Sequence, residues 1–484
     1  MKTKQAFNPY MASWEYVPDG EPHIVGDRVY VYGSHDTFNG INFCLGDYVC
    51  WSAPVDDLGN WRYEGEIFKR EQDPAAPRIR VTNGLAAPDM VVGPDGKYYL
   101  YYFMGGTKMI SIAVCDEPAG KYEFYGYVSY QDGTPVGKKN EPFQFDPGML
   151  MDNDGRLYMY TGFAFGGNPI LLDGSQPTKD GPMAFEIDTT DMKTVLSGPT
   201  NIGVLTGEKA KGTPYEEQPF GEASSMRRFG DKYYFIYSSL NSHNLAYAVG
   251  DNPFGPFSYG GVLVSCGDIG LNGATDPNHA KNDTGNTHGS LIEIEGKYYI
   301  FYHRHSNRKQ SSRQGCAEEI RFEDGKFYQA EMTSCGLNGG PLEGKGEYGT
   351  FCACNLYGPA GTRFLSMIKR PAFGLPYLTQ DGGDRVGGPD QYIANMCNGA
   401  VAGFKYFDLS DTTKIRINIK GRAEGVVEVA TTEGGEPVAK IKIGAVREKR
   451  GFSARFKKPL GEKDALFFTF KGKGSFNFYT FELK

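Results

Sequence analysis

Three carboxylic acids stand at matching places in an internal repeat, and their type and spacing point to acid–base chemistry. Asp19, Asp146 and Glu222 lie 11 or 12 residues ahead of the tyrosines Tyr30, Tyr158 and Tyr234. His288 holds the same place ahead of Tyr299, and Asp89 lies ten residues ahead of Tyr99. Glycoside hydrolysis needs one protonated carboxyl to donate to the leaving oxygen and one carboxylate to activate water on the opposite face. The flanks Phe145-Asp146-Pro147-Gly148 and Gly221-Glu222-Ala223-Ser224 are apolar or small, surroundings that raise a carboxyl pKa by desolvating its charged form. Singly, each acid reads as a strand-start or turn cap. In register across a repeat, the three read as one site.

The elements that must position them are hairpins. Each tyrosine follows a glycine turn: Gly26-Asp27-Arg28-Val29-Tyr30, Asp95-Gly96-Lys97-Tyr98-Tyr99, Asp154-Gly155-Arg156-Leu157-Tyr158, Gly230-Asp231-Lys232-Tyr233-Tyr234 and Glu295-Gly296-Lys297-Tyr298-Tyr299. The steps between them are 69, 59, 76 and 65 residues, long enough for a four-stranded propeller blade with inserted loops. Five copies predict a five-bladed β-propeller within residues 1–345, whose innermost strands converge on one axial pit. Coincidental hairpins in a β-sandwich are the alternative, and they do not explain why the recurrence stops after Asn338-Gly339-Gly340-Pro341. Residues 346–484 alternate with period two, as in Lys414-Ile415-Arg416-Ile417-Asn418-Ile419, and predict a β-sandwich domain.

Composition agrees with an all-β class: 65 glycines, 32 tyrosines and 32 phenylalanines among 484 residues suit short strands and tight turns. A net charge of −7 without long Lys/Arg runs argues against nucleic acid as a partner. No stretch is apolar enough to predict a membrane span. The first residues carry no apolar leader pattern, and nine cysteines lack paired spacing, so a reducing, cytoplasmic location is the expectation. Cys352-Ala353-Cys354 has no second pair and is not expected to bind metal. No organic cofactor is expected.

Over about residues 7–340 the chain resembles glycoside hydrolase family 43. The matching pieces are Asp19, Ala87-Pro88-Asp89-Met90-Val91, Phe145-Asp146-Pro147-Gly148, Glu222-Ala223-Ser224-Ser225-Met226 and His288-Gly289-Ser290-Leu291, with Asp57-Leu58-Gly59-Asn60-Trp61 and Phe254-Gly255-Pro256-Phe257 at blade edges. The resemblance implies Asp19 as general base, Glu222 as general acid and Asp146 as the residue that orients the acid and adjusts its pKa. The family usually has Asp-Pro at the base, whereas here the order is Asp19-Gly20-Glu21-Pro22. Asp19 keeps the repeat register and Glu21 does not, so Asp19 is favoured. The resemblance also implies calcium on the propeller axis near His288, although imidazole is a poor partner for that ion and water must complete its shell. A histidine hydrogen-bonded in the pit without metal is the alternative. Arg313, in Ser311-Ser312-Arg313-Gln314-Gly315, is similar to a family arginine that reaches substrate or carboxylates, with a surface salt bridge as the alternative.

Asp89 is a candidate for bonding sugar or for capping its strand. Trp14, Phe38, Phe103 and Phe163 are candidate walls, with core packing as the alternative for any one of them. The implied reaction is inverting hydrolysis that releases terminal α-L-arabinofuranosyl or β-D-xylosyl units from arabinoxylan-type oligosaccharides. A non-catalytic sugar-binding propeller and an endo-acting arabinanase or xylanase are the alternatives. Residues 385–484 resemble a family 6 carbohydrate-binding module, on Gly403-Phe404-Lys405-Tyr406-Phe407-Asp408-Leu409 and Phe467-Phe468-Thr469-Phe470. Its lack of tryptophan favours a domain that steadies the propeller.

Overall fold

The computed structural model describes residues 4–76, 84–138, 141–166, 176–271, 279–384, 388 and 390–484. Every repeat becomes an antiparallel sheet whose strands pair in chain order. Blade 1 comprises Glu21–Val25, Arg28–Tyr32, Tyr48–Pro54 and Arg62–Phe68, and blade 2 Asp89–Val92, Tyr98–Phe103, Ile110–Cys115 and Glu123–Tyr127. Blade 3 comprises Gly148–Met151, Leu157–Thr161, Met183–Ile187 and Val195–Asn201, and blade 4 Phe220–Phe229, Lys232–Ser239, Leu245–Gly250 and Ser258–Val264. Blade 5 has Leu291–Ile294, Lys297–Ser306 and Lys309–Glu319. Its open edge is met by the chain's beginning: Ala317 N–H donates to Asn8 Oδ1 (2.9 Å) and Tyr10 N–H to the Gly315 carbonyl (3.2 Å). The ring thus closes by pairing an early segment with the last blade.

The many tyrosines serve the interior. Tyr101, Tyr102, Tyr160 and Tyr237 are fully buried on second strands. Each hydroxyl finds an acceptor: the Met192 carbonyl (2.5 Å), Asp73 Oδ2 (2.8 Å), the Pro253 carbonyl (3.0 Å) and the Gln218 carbonyl (2.7 Å). A buried ring with a satisfied hydroxyl supplies apolar area without an orphaned polar group.

Strand register sorts the axis into layers. Tyr30, Tyr158 and Tyr299 pair with His23, Leu150 and Ile292, and the predicted residues Asp19, Asp146 and His288 each lie four residues before that partner. Glu222 lies five before Arg227, the partner of Tyr234, because the register shifts between Glu222 and Ser225 absorb one extra residue. Blade 2 differs. Tyr99 pairs with Val91, so Ala87 is the equivalent of the acids and Asp89 sits one pleat deeper. That deeper layer also holds Glu21, Gly148, Ser225 and Ser290, and it is tightly packed: a Cβ on Gly148 would stand 2.4 Å from the Ser224 carbonyl oxygen.

The second unit is one curled, mainly antiparallel sheet built on two long strands, Lys414–Ala430 and Asp464–Leu483, paired along almost their full length. Its core gathers Phe404, Phe407, Phe468, Phe478 and Phe481 with Ile415, Ile417 and Ile419, the inward half of the period-two pattern. This fold fits a carbohydrate-binding-module-like sandwich. Leu342–Glu343 already pairs with Val401–Asp408, so the sheet recruits residues just before position 346. Cys352 and Cys354 are buried, free thiols. Among the described residues no helix is long and apolar enough to cross a membrane.

Candidate active site

A cavity of about 460 Å³ opens at the end of the axis where the first layer lies, and Asp19, Asp146, Glu222 and His288 all line it, with Ala87 from blade 2. The backbone turns these side chains inward through uncommon conformations. Asp19 (φ 58°) and Asp146 (φ 48°) are left-handed, and Ala223 (φ 66°) provides the turn directly after Glu222. Such conformations cost energy in residues with a Cβ and persist where surrounding structure holds them, often at functional sites.

Arg313 organises one wall. Its NH1 donates to Asp19 Oδ1 (2.9 Å), while Nε and NH2 grip Asp36 Oδ2 and Oδ1 (2.8 and 2.9 Å). Arg313 and Asp36 are almost fully buried, so this bidentate pair is fixed and desolvated. His303 Nδ1 stands 3.3 Å from Asp19 Oδ1, and its Nε2 lies 2.8 Å from the Asn286 carbonyl. Burial opposes ionisation of Asp19, but the charge of Arg313 and the contact with His303 outweigh it and hold the carboxyl well below its usual range. Glu222 has the opposite fate: burial, then the charge of Asp146, pushes its pKa up to about 8. Asp146 is itself raised, by burial against the pull of His288. One cavity therefore holds an ionised carboxylate beside a protonated acid.

His288 ties the first layer to the second. Nδ1 faces Asp146 Oδ2 at 3.6 Å and Nε2 faces Glu21 Oε1 at 3.4 Å. Burial alone would depress its pKa, yet Asp146 and Glu21 raise it well above the ordinary value. Both ring nitrogens and Glu21 Oε1 are buried without a hydrogen-bond partner. With a ring proton displaced from His288, that nitrogen and Glu21 Oε1 fit a cation with water in the rest of its shell. Among the described residues, the metal-compatible group is instead Glu21, His23 and Asp89, one layer further in. There Arg227 already pairs with Glu21 and stands 3.8 Å from Asp89, so that negative charge is answered.

The structure brings Arg313, Phe103 and Phe163 to the cavity as the sequence predicts, and leaves Asp89, Trp14 and Phe38 out of its lining. Asp89 is displaced by its register: it accepts from the Met149 N–H (2.8 Å) and pairs with His23 Nε2 (2.7 Å), tying three blades together. Trp14 packs on Trp51 (6.3 Å between centroids), and Phe38 lies on Tyr16 while its N–H donates to Asp384 Oδ1 (2.7 Å). Glu21 lies behind the cavity, engaged with Ser225, so Asp19 alone of that pair reaches the pit. Sequence reasoning missed Asp36 and His303, which lie on second strands or just beyond, outside the repeat position scanned. It also missed Phe145 and Phe165, which extend the aromatic wall through contacts of 5.0 Å (Phe103–Phe145) and 5.6 Å (Phe163–Phe165).

A five-bladed propeller whose axial pit holds oppositely poised carboxyls defines a glycosidase. The chain belongs to the glycosyl hydrolases family 43, whose model matches residues 16–327. It is 46% identical over 483 residues, 99% of each chain, to a xylosidase/arabinosidase of Thermoclostridium stercorarium. A xylosidase/arabinosidase of Bacteroides ovatus is 30% identical over 328 residues, covering 63% of this chain and 89% of that one. Among solved structures, a family 43 β-xylosidase/α-arabinofuranosidase from a compost microbial metagenome, in complex with xylotriose, superposes with a TM-score of 0.50 at 26% identity over 68% of this chain and 98% of that one.

Proposed function

We propose that this glycosidase is an inverting, exo-acting enzyme that releases terminal α-L-arabinofuranosyl or β-D-xylosyl units from arabinoxylan-type oligosaccharides. The observation that carries the reading is the opposite poising of Asp19 and Glu222 within one cavity. Asp19 takes a proton from water as its oxygen attacks the anomeric carbon, and Glu222 gives its proton to the departing glycosidic oxygen as that bond breaks. Asp146 acts through its charge on Glu222, keeping the acid protonated near neutral pH. The names of the relatives from T. stercorarium and B. ovatus support the two sugars, and a cavity of about 460 Å³ suits the end of a chain.

Calcium on the axis, as the family resemblance implies, would be held by His288 Nε2 and Glu21 Oε1 with water completing the shell, and would supply positive charge beneath Asp146. The second domain serves to steady the propeller: buried Arg304 of blade 5 donates to the carbonyls of Ala353 (2.8 Å) and Phe351 (2.6 Å).

Initial rates on an aryl α-L-arabinofuranoside and an aryl β-D-xyloside test the reading. Hydrolysis of at least one, lost by about 10²–10⁴-fold in Asp19→Asn, is the expected result. Turnover of neither, or full activity in Asp19→Asn, would overturn it.

A further inference from the structure

One residue of the cavity lining comes from the second domain. Between the strands Asn355–Tyr357 and Tyr377–Thr379, both in the C-terminal sheet, the chain leaves that sheet and lies along the propeller mouth. Thr284 N–H donates to the Arg363 carbonyl (2.8 Å), and Leu365 N–H returns a bond to Thr284 (2.7 Å). Arg363 forms a salt bridge with Asp283 (2.6 Å), and Gln310 N–H donates to the Ser366 carbonyl (3.2 Å). Lys369 Nζ reaches Asn39 Oδ1 (2.8 Å) and Arg370 N–H the Arg308 carbonyl (3.1 Å). These contacts hold residues 363–370 so that Met367 enters the cavity lining, the second domain's one contribution to it among the described residues.

The same segment carries apolar side chains that water would normally exclude. Phe364 is 56% exposed and Ile368 77%, and Ile41, which lines the cavity, is 64% exposed. Exposed apolar groups at the rim of a cavity that also holds charged side chains mark a binding surface. Their position relative to the acid fixes which part of the substrate they meet. Phe165 lies over Gly221, where a Cβ would stand 2.8 Å from its ring, directly beside Glu222. Phe165 stacks on His243 (4.8 Å, 6° between planes), and His243 meets Phe364 (5.7 Å, 30°). Burial, and then His303, lower the pKa of His243 to about 4, so its ring is neutral at working pH and serves as an aromatic face. A row of rings therefore runs outward from the proton donor to the second domain.

We infer that residues 363–370 of the second domain, through Phe364 and Met367, form the leaving-group side of the substrate site and bind the sugar that departs from Glu222. This rests on the function proposed above, in which Glu222 protonates the leaving oxygen. The leaving unit must then lie on Glu222's side of the cleft, where apolar sugar faces would pack on Phe364 and Met367. The second domain then sets preference for oligosaccharide over small leaving groups.

The test compares xylotriose with β-D-xylosyl fluoride, which has no leaving sugar, and arabinotriose with α-L-arabinofuranosyl fluoride if the arabinosyl series is the one turned over. In Phe364→Ser and Met367→Ala, each an exposed or rim substitution, kcat/KM for the trisaccharide should fall at least fivefold more than for the fluoride, chiefly through KM. Met367→Leu, which keeps an apolar wall, should restore most of the difference. Equal losses on both substrates, or none, in an active wild type would overturn the inference and leave the proposed function standing. A wild type inactive on all four substrates would overturn the proposed function, and the leaving-group assignment with it.

Discussion

Arg313 NH1 donates to Asp19 Oδ1 over 2.9 Å while the rest of the guanidinium is clamped by Asp36. The arginine is therefore held from behind, and Asp19 meets a cation that cannot swing away. Asp36 touches the reaction only through Arg313 and is a positioning residue.

Replacing Arg313 by Gln should raise the Asp19 pKa, since burial is then opposed only by His303 and His288. The acidic limb of kcat/KM should move up in pH, and breaking a buried pair should cost about 3–5 kcal/mol of stability. Asp36→Asn removes a negative charge and leaves the guanidinium, so it should lower kcat/KM by loosening Arg313 without moving that limb upward. pH–rate profiles with thermal unfolding of both variants check this, and an unmoved acidic limb in Arg313→Gln would count against the role given to Arg313.

Glu222 must carry a proton to act as the acid, so kcat/KM should fall as pH rises through about 8. The charge of Asp146 is part of what lifts that pKa. Asp146→Asn should therefore bring the basic limb to lower pH, whereas a purely structural Asp146 would lower the rate without moving it.

A raised carboxyl pKa also has a sign for stability. The folded state keeps the Glu222 proton up to about 8, whereas the unfolded chain releases it near 4.3. Rising pH between those values favours unfolding, because the unfolded chain binds fewer protons there. Glu222→Gln should gain stability over the wild type across that window and diverge no further above it, as denaturant melts at pH 5, 7 and 9 would show.

Leaving groups separate the acid from the rest of the machinery. Glu222→Gln should lose far less activity on a dinitrophenyl glycoside, whose departing phenolate needs no proton, than on an oligosaccharide. Parallel kcat measurements on the two check it.

Gly148 is where two inner strands meet. A methyl group there would stand 2.4 Å from the Ser224 carbonyl oxygen. Gly148→Ala should cost about 1–3 kcal/mol, as overpacking does, and should disturb activity because Ser224 lies within the bulge beside Glu222.

The repeat made the five blades and the pit legible, because a hairpin with a glycine turn writes its own register. It also brought Asp19, Asp146, Glu222 and His288 together correctly, the extra residue at Glu222 being a bulge that counting alone could not distinguish from the native spacing. Asp89 shows the limit of counting: ten residues instead of 11 or 12 shifted it one pleat, out of the cavity and into the axial network. Aromatic walls were half legible. Phe103 and Phe163 end or follow second strands and face the pit, while Trp14 and Phe38 lie on loops whose packing depends on neighbours distant in sequence. Asp36 and Met367 left no local signal, since each owes its place to a tertiary contact: Arg313 277 residues away for Asp36, and the docked second-domain segment for Met367.

The most direct test of the account is the anomer first released. Proton NMR of an aryl β-D-xyloside, or aryl α-L-arabinofuranoside, during the first minutes of hydrolysis reads it before mutarotation. The account predicts the inverted sugar, α-D-xylose or β-L-arabinose, and none in Asp19→Asn. First release of the retained anomer would contradict the assignment of Asp19 as a base acting on water.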